Sequence, residues 1–320
     1  RNIIDILAII ATVMGIATSI GLGIMQIGGG LNHLFDVPNN NSTKILITIL
    51  MVAIFLGSSL TGLNHGVKWL SNFNIILGAV LLIFILVFGD LKFILESYTL
   101  AISDYLQHFI EYSLRVNPYS GDDSWIQQWT VFYWAWVISW SPFIGGFVAR
   151  VSRGRTIREF VVGVLIIPPL ISFTWIAGFG GTAIKLALNH NDKLVHIVDK
   201  DYTVALFELL SHFPLSEVTS SLAIVLIFIF IVTSADSTTH IVAGMATGGA
   251  INPSLKHKVL WGLLIGAISV AMTIAGGLKS LQTASVITGL PFSIILLLMI
   301  FSLMRALKRE PIHHFKMTSI

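Results

Sequence analysis

Apolar stretches of about twenty residues recur from one end of this chain to the other, and each is long enough to cross a hydrocarbon layer about 30 Å thick. A bilayer core cannot solvate backbone N–H and C=O groups, so a chain built this way must form helices or a closed barrel. These runs are too long and too continuously apolar for barrel strands. They predict eight membrane-spanning helices, at Ile3–Leu31, Ile45–Leu63, Ile75–Leu95, Trp125–Val148, Ile157–Phe179, Val218–His240, Val259–Gly277 and Ala284–Arg305. Only 11% of the 320 residues are charged, against roughly 25% in a soluble domain, so the fold class is an all-α polytopic membrane protein.

Two stretches carry a different pattern. Thr99–Asn117 places Asp104, His108, Glu111 and Arg115 among Leu, Ile and Phe at helical spacing, as in an amphipathic helix lying on a membrane surface. Tyr202–Phe213 is a shorter version, and the polar run Asn189–Asp201 reads as a flexible external connection. With the start of the chain on the cytoplasmic side, twelve Lys and Arg residues fall inside and seven outside. The short loop Ala149–Glu159 alone holds Arg150, Arg153, Arg155 and Arg158. The positive-inside rule favours that orientation, with both ends cytoplasmic in a bacterial plasma membrane. Arg1 stands where a Met would begin a whole chain. The expectation is therefore a transporter domain over residues 1–310 that lacks its N-terminal part, and a cytoplasmic tail over 311–320.

Several function classes drop out. There is no cysteine, hence no thiolate nucleophile or thiolate metal site. No basic run suits nucleic acid, and the ten histidines show no metal-ligand spacing. Nothing resembles a P-loop, a dinucleotide fingerprint or a nucleophile elbow. An enzyme is not expected.

Five of the eight tryptophans stand in Trp125–Gly146: Trp125, Trp129, Trp134, Trp136 and Trp140. Trp125 and Trp129 read as an interfacial belt. Trp136 and Trp140 are four apart, on one helical face, and too deep in the span for a belt. They are either packed core or a cage for a cation, each aromatic face contributing roughly 0.5–2 kcal/mol. Ser139, Pro142, Gly145 and Gly146 follow in the same helix, and Pro142 removes a backbone hydrogen bond. Asp236 is an ionisable group inside an apolar span, a functional candidate by default. The hydroxyls of Thr233, Ser234, Ser237, Thr238 and Thr239 around it suit either a hard cation or helix–helix hydrogen bonding. Ala11–Gly30 carries six glycines, a pattern of close helix packing.

The run FYWAWVISWSPFIGGFVARVSRGRTIREF (Phe132–Phe160) resembles the signature of the betaine–choline–carnitine transporter family. So do IDILAIIATVMGIATSIGLG (Ile4–Gly23), FGGTA (Phe179–Ala183) and VTSADS (Val232–Ser237). The resemblance implies an inverted-repeat secondary-transporter fold like that of sodium-coupled amino-acid transporters, with eight of an expected twelve helices present, and a homotrimer. It implies that Trp136 and Trp140 line the substrate path with Ser139 and Phe143. It also implies that Thr233 and Ser234, with the Phe230 carbonyl, match a sodium site. Thr12 matches one member of a second sodium site, with which Phe143 is also associated, but Ile16 replaces its partner threonine. Val137 stands where the family usually has a further tryptophan.

Resemblances at Gly15–Thr18, Phe35–Pro38 and Gly289–Ser293 point toward the choline branch. The expected function is thus uptake of a quaternary-ammonium solute, most of all choline, driven by protons or by the membrane potential. A sodium-coupled glycine betaine symporter is one alternative, and a membrane osmosensor that binds without transporting is another. No cofactor is expected beyond Na+ or H+ as the coupling ion.

Overall fold

The computed structural model describes residues 2–60, 64–116, 119, 124–189 and 192–309. Arg1, Leu63, Asn117 and the tail 311–320, with His313, His314 and Lys316, lie outside the described residues. The long apolar runs are all helical. They form α1 (Asn2–Phe35), α2 (Asn41–Leu60), α3 (Asn64–Phe88), α6 (Phe132–Val151), α7 (Ile157–Leu188), α10 (Ser216–Ala246) and α11 (Leu255–Leu307). Shorter helices α4 (Leu91–Gln107), α5 (Phe109–Ser113), α8 (Asp192–Lys200) and α9 (Ala205–Ser211) connect them. No strand occurs among the described residues.

Seven of these helices are long and apolar enough to span a bilayer. The 53 residues of α11 would extend about 80 Å as one straight helix, far more than a membrane requires. The chain reverses at Gly277, whose φ of 55° and ψ of −133° lie where a Cβ is not tolerated. Thr273 and Leu281, four residues to either side, both abut Gly21 of α1. The two arms, 255–276 and 278–307, are the seventh and eighth predicted spans. The residues between the predicted spans are helical too, so the connection is a single residue rather than a loop.

α1 is the central element. Its Val13, Ile16, Ile20, Ile24 and Ile27 form one core cluster with Ile47, Met51 and Phe55 of α2, Ile231 and Val232 of α10, and Ile265 of α11. Away from this core, α3 presents Ile75, Ile76, Val80, Ile83 and Val87, each about half exposed or more, as a helix facing lipid does.

Three connecting segments depart from expectation. The predicted span Ile75–Leu95 stops at Phe88, because Asp90 accepts the Phe93 N–H at 3.0 Å and begins a new helix. Asp90 also pairs with Lys185 at 3.5 Å, so α4 starts eight residues before the expected surface helix, which breaks at His108. The expected flexible connection 189–201 contains α8, with Leu194 buried. The stretch Tyr202–Phe213 is not laid on a surface. Phe207, Glu208, Leu209 and Leu210 of α9 are all buried, and Phe207 sits against Gly30 while Thr203 sits against Gly29. The small residues at the end of α1 leave the room this segment fills.

Candidate solute site

α6 begins with a wide π-helical turn, Ile126–Val131, a form found often at functional sites. Gln282 of α11 donates to the Gln128 carbonyl in this turn at 2.6 Å. Further along, Pro142 frees the Ile138 carbonyl, and the Ser141 hydroxyl donates to it at 2.6 Å, so the helix runs on with its polar group paired.

α6 crosses α1 at Gly15, where a Cβ would come within 3.1 Å of the Ser139 carbonyl carbon and the Trp140 nitrogen. This close approach lets the Trp136 indole N–H donate to the Gly15 carbonyl at 3.1 Å and to the Ser19 hydroxyl at 3.2 Å. The Trp136 ring stacks on Phe132, 5.5 Å apart and 5° from parallel, and Tyr133 meets it edge-on at 5.6 Å. Trp136 is thereby fixed in position and orientation.

Trp136 and Trp140 line one cavity of about 710 Å³. α1, α3, α6, α7 and α10 contribute to its wall, and Trp129, Phe132, Tyr133 and Trp175 add aromatic surface. Ser19, Gln26, Asn74, Tyr202 and Ser234 supply its polar groups, and among the described residues no charged side chain lines it. Burial first, and then the charge of Asp201, push the Tyr202 phenol up to about 12, and its hydroxyl donates weakly to the Met25 sulfur at 3.9 Å. Two cavity residues also hold buried polar atoms without a partner among the described residues: the Trp140 indole nitrogen and the Asn74 amide oxygen.

Not every expected site residue reaches this cavity. Ser139 is fully buried and faces α11, with its hydroxyl 2.8 Å from the Ala135 carbonyl, 3.1 Å from the Ser285 carbonyl and 3.2 Å from the Thr288 hydroxyl. Phe143 is buried beside Trp140, 5.7 Å between rings, behind the wall. Thr12 is buried, its hydroxyl without a partner among the described residues, and Ile16, one turn on, lies on the cavity wall. Val137 also stands on the wall, an aliphatic gap in an aromatic surface. Phe230 and Ser234 line the cavity. The Thr233 hydroxyl is 3.0 Å from the Phe230 carbonyl and 3.0 Å from that of Ile229. These neutral oxygens are of the type a hard cation takes. Asp236 is half-buried further along α10, one turn before His240, which contacts the Ile251 carbonyl at 3.1 Å.

Sequence reading assigned Trp129 to an interfacial belt, whereas it lines the cavity and stacks on Tyr133 at 6.3 Å. It passed over Asn74, Trp175, Gln26 and Tyr202. Gln26 carried a signal, as the one amide inside the predicted span Ile3–Leu31, whereas Asn74 falls one residue before the predicted span Ile75–Leu95. Trp175 and Tyr202 carried none until the fold brought α7 and the turn before α9 to the same place.

Helices of membrane length, one of them broken at Gly277, packed around an aromatic cavity, define a polytopic membrane transporter. The model of the betaine/carnitine/choline family transporters (BCCT) matches residues 1–312. The chain is 50% identical over 306 residues to the ectoine/hydroxyectoine transporter of Virgibacillus pantothenticus, covering 96% of this chain and 61% of that protein. It is 43% identical over 308 residues to a glycine betaine transporter of Bacillus subtilis, covering 96% and 60%. It is 36% identical over 315 residues to an osmo-independent choline transporter of Acinetobacter baylyi, covering 97% and 60%. The chain belongs to the betaine/carnitine/choline transporter family, and it spans about three-fifths of the length of these curated relatives.

Proposed function

We propose that the chain forms the solute-binding body of a secondary transporter that takes up a small zwitterionic osmolyte, whose cationic centre packs against Trp136 and Trp140. One observation carries this reading: the cavity is aromatic and its lining is uncharged. Aromatic faces attract a cation without asking it for hydrogen bonds. An unpaired charge in a low-dielectric cavity is nevertheless costly, and among the described residues no carboxylate on the wall offsets it. A zwitterion brings its own counter-charge. Its carboxylate can take hydrogen bonds from the Tyr202 hydroxyl and the Trp140 indole N–H. The names of the relatives at 50% and 43% identity, ectoine/hydroxyectoine and glycine betaine, support the same class.

Choline is the second reading, favoured by the resemblances at Gly15–Thr18, Phe35–Pro38 and Gly289–Ser293. The membrane potential draws a full positive charge inward with about 2.3 kcal/mol per 100 mV. The Phe230, Thr233 and Ser234 oxygens support sodium as the coupling ion for a zwitterion, and Ile16 supports one sodium rather than two. The orientation with cytoplasmic ends is supported by the clustering of Arg150 with Ile251, whose carbonyl accepts from its guanidinium at 2.9 Å. That contact places two of the basic loops at one end of the molecule.

Uptake of radiolabelled ectoine, glycine betaine and choline into proteoliposomes, with sodium and proton gradients imposed separately, tests the proposal. Sodium-dependent uptake of a zwitterion is expected. Uptake of choline alone, unaffected by sodium, would replace this reading with the second, and saturable binding without counterflow would favour a sensor.

A further inference from the structure

Asn74 is set apart from the other polar groups of the cavity. It stands on α3, a turn before Gly78, and both face the cavity. Its amide oxygen is buried with no hydrogen-bond partner among the described residues. An unmet acceptor in such a place is unfavourable, and buried polar atoms in proteins are nearly always paired. The terminal torsion of an asparagine is soft, so a modest rotation turns this oxygen toward a bound solute.

An acceptor discriminates between two kinds of cationic centre. A quaternary ammonium presents only methyl groups and has no proton to give. A protonated cyclic amidine, as in ectoine, spreads the same charge over a planar group whose N–H bonds are donors. The aromatic wall on α6 serves both kinds equally, because cation–π attraction needs no hydrogen bond. The aliphatic Val137 in that wall takes up less of the cavity than an aromatic side chain would. Donor and acceptor are also divided in the cavity: the Trp140 indole nitrogen, without a partner among the described residues, carries an N–H for a carboxylate, and the Asn74 oxygen is complementary to an N–H.

We propose that Asn74 is a specificity-determining residue, whose amide oxygen accepts a hydrogen bond from an N–H on the solute's cationic centre and so favours cyclic amidinium solutes over quaternary-ammonium ones. This rests on the cavity being the solute site. Sites that hydrogen-bond a donor reject analogues lacking it far more strongly than apolar pockets reject a size change.

The test is the ratio of ectoine to glycine betaine dissociation constants, measured by titration calorimetry on the purified full chain in nanodiscs. Wild type is expected to bind ectoine more tightly. Asn74→Leu is expected to weaken ectoine by about tenfold or more, the scale of one hydrogen bond to a charged donor, and to change betaine much less. Asn74→Asp keeps an acceptor and is expected to restore the ectoine preference. An unchanged ratio in Asn74→Leu, whether both constants hold or both weaken together, overturns the proposal, since general damage to the site moves both solutes alike. Wild type that binds betaine or choline but not ectoine overturns it while leaving the solute site standing. Wild type that binds none of the three removes the solute site and this proposal together.

Discussion

The indole N–H of Trp136 on α6 donates to the backbone carbonyl of Gly15 on α1 at 3.1 Å, and this bond ties the aromatic wall of the cavity to the central helix. It exists because residue 15 has no side chain to hold the helices apart. Trp136→Phe keeps the aromatic face and loses the bonds to Gly15 and Ser19. It is expected to weaken solute binding severalfold, while Trp136→Leu, which also loses the cation–π term of roughly 0.5–2 kcal/mol, weakens it further. Equilibrium binding of the two variants checks the order, and equal effects would show that the ring face adds nothing.

Gly15→Ala places a methyl group 3.1 Å from the backbone of Ser139 and Trp140. Neither backbone atom can turn aside, so the helices must separate, and overpacking of this kind costs about 1–3 kcal/mol. Lower thermal stability together with weaker solute binding is the expected result. A variant with wild-type binding and stability would show that the crossing is loose.

Ser139→Ala separates packing from binding. The hydroxyl joins α6 to α11 through Ser285 and Thr288, and its loss should cost stability of about 1 kcal/mol. Solute affinity is expected to stay near wild type, because Ser139 lies off the cavity. A large loss of affinity at unchanged melting temperature would place Ser139 in the site after all.

Thr233→Ala and Ser234→Ala test the coupling ion. If the oxygens near Phe230 hold sodium, both variants should raise the sodium concentration needed for half-maximal uptake. Uptake equally insensitive to sodium in wild type and both variants would assign the Thr233 hydroxyl to its bonds with the Ile229 and Phe230 carbonyls alone.

Asp90 gives a pH prediction. The Phe93 N–H, and then Lys185, hold its carboxyl below the ordinary value of 3.8. A carboxyl depressed in the folded state contributes stability that is present above the unfolded pKa and lost as pH falls through the lower folded value. Amide exchange at the start of α4 is therefore expected to rise as pH drops below about 4, after correction for intrinsic rates. Asp90→Asn should show faster exchange at neutral pH and little further acid dependence. The same acid profile in Asp90→Asn and wild type would assign the effect elsewhere.

The helical nature of the apolar runs was determined by sequence alone, because the cost of unpaired backbone in lipid leaves an apolar twenty-residue run no option but a helix. The concentration of tryptophans in α6 likewise marked the wall of the site, and Trp136 and Trp140 both reach the cavity. Tertiary structure decided the rest. Ser139 lies between Trp136 and Trp140 in sequence, yet the structure turns it toward α11. Phe207 through Leu210 carry an ordinary short amphipathic pattern, and packing against Gly30 of α1, Leu81 and Ile85 of α3 and Phe179 of α7 makes that segment a buried one. Asn74, Trp175 and Tyr202 lie far apart in the chain and share no periodicity with α6. They meet at one cavity because α3 packs against α7 while the turn before α9 packs against α1, and contacts of that kind leave no local trace in a sequence.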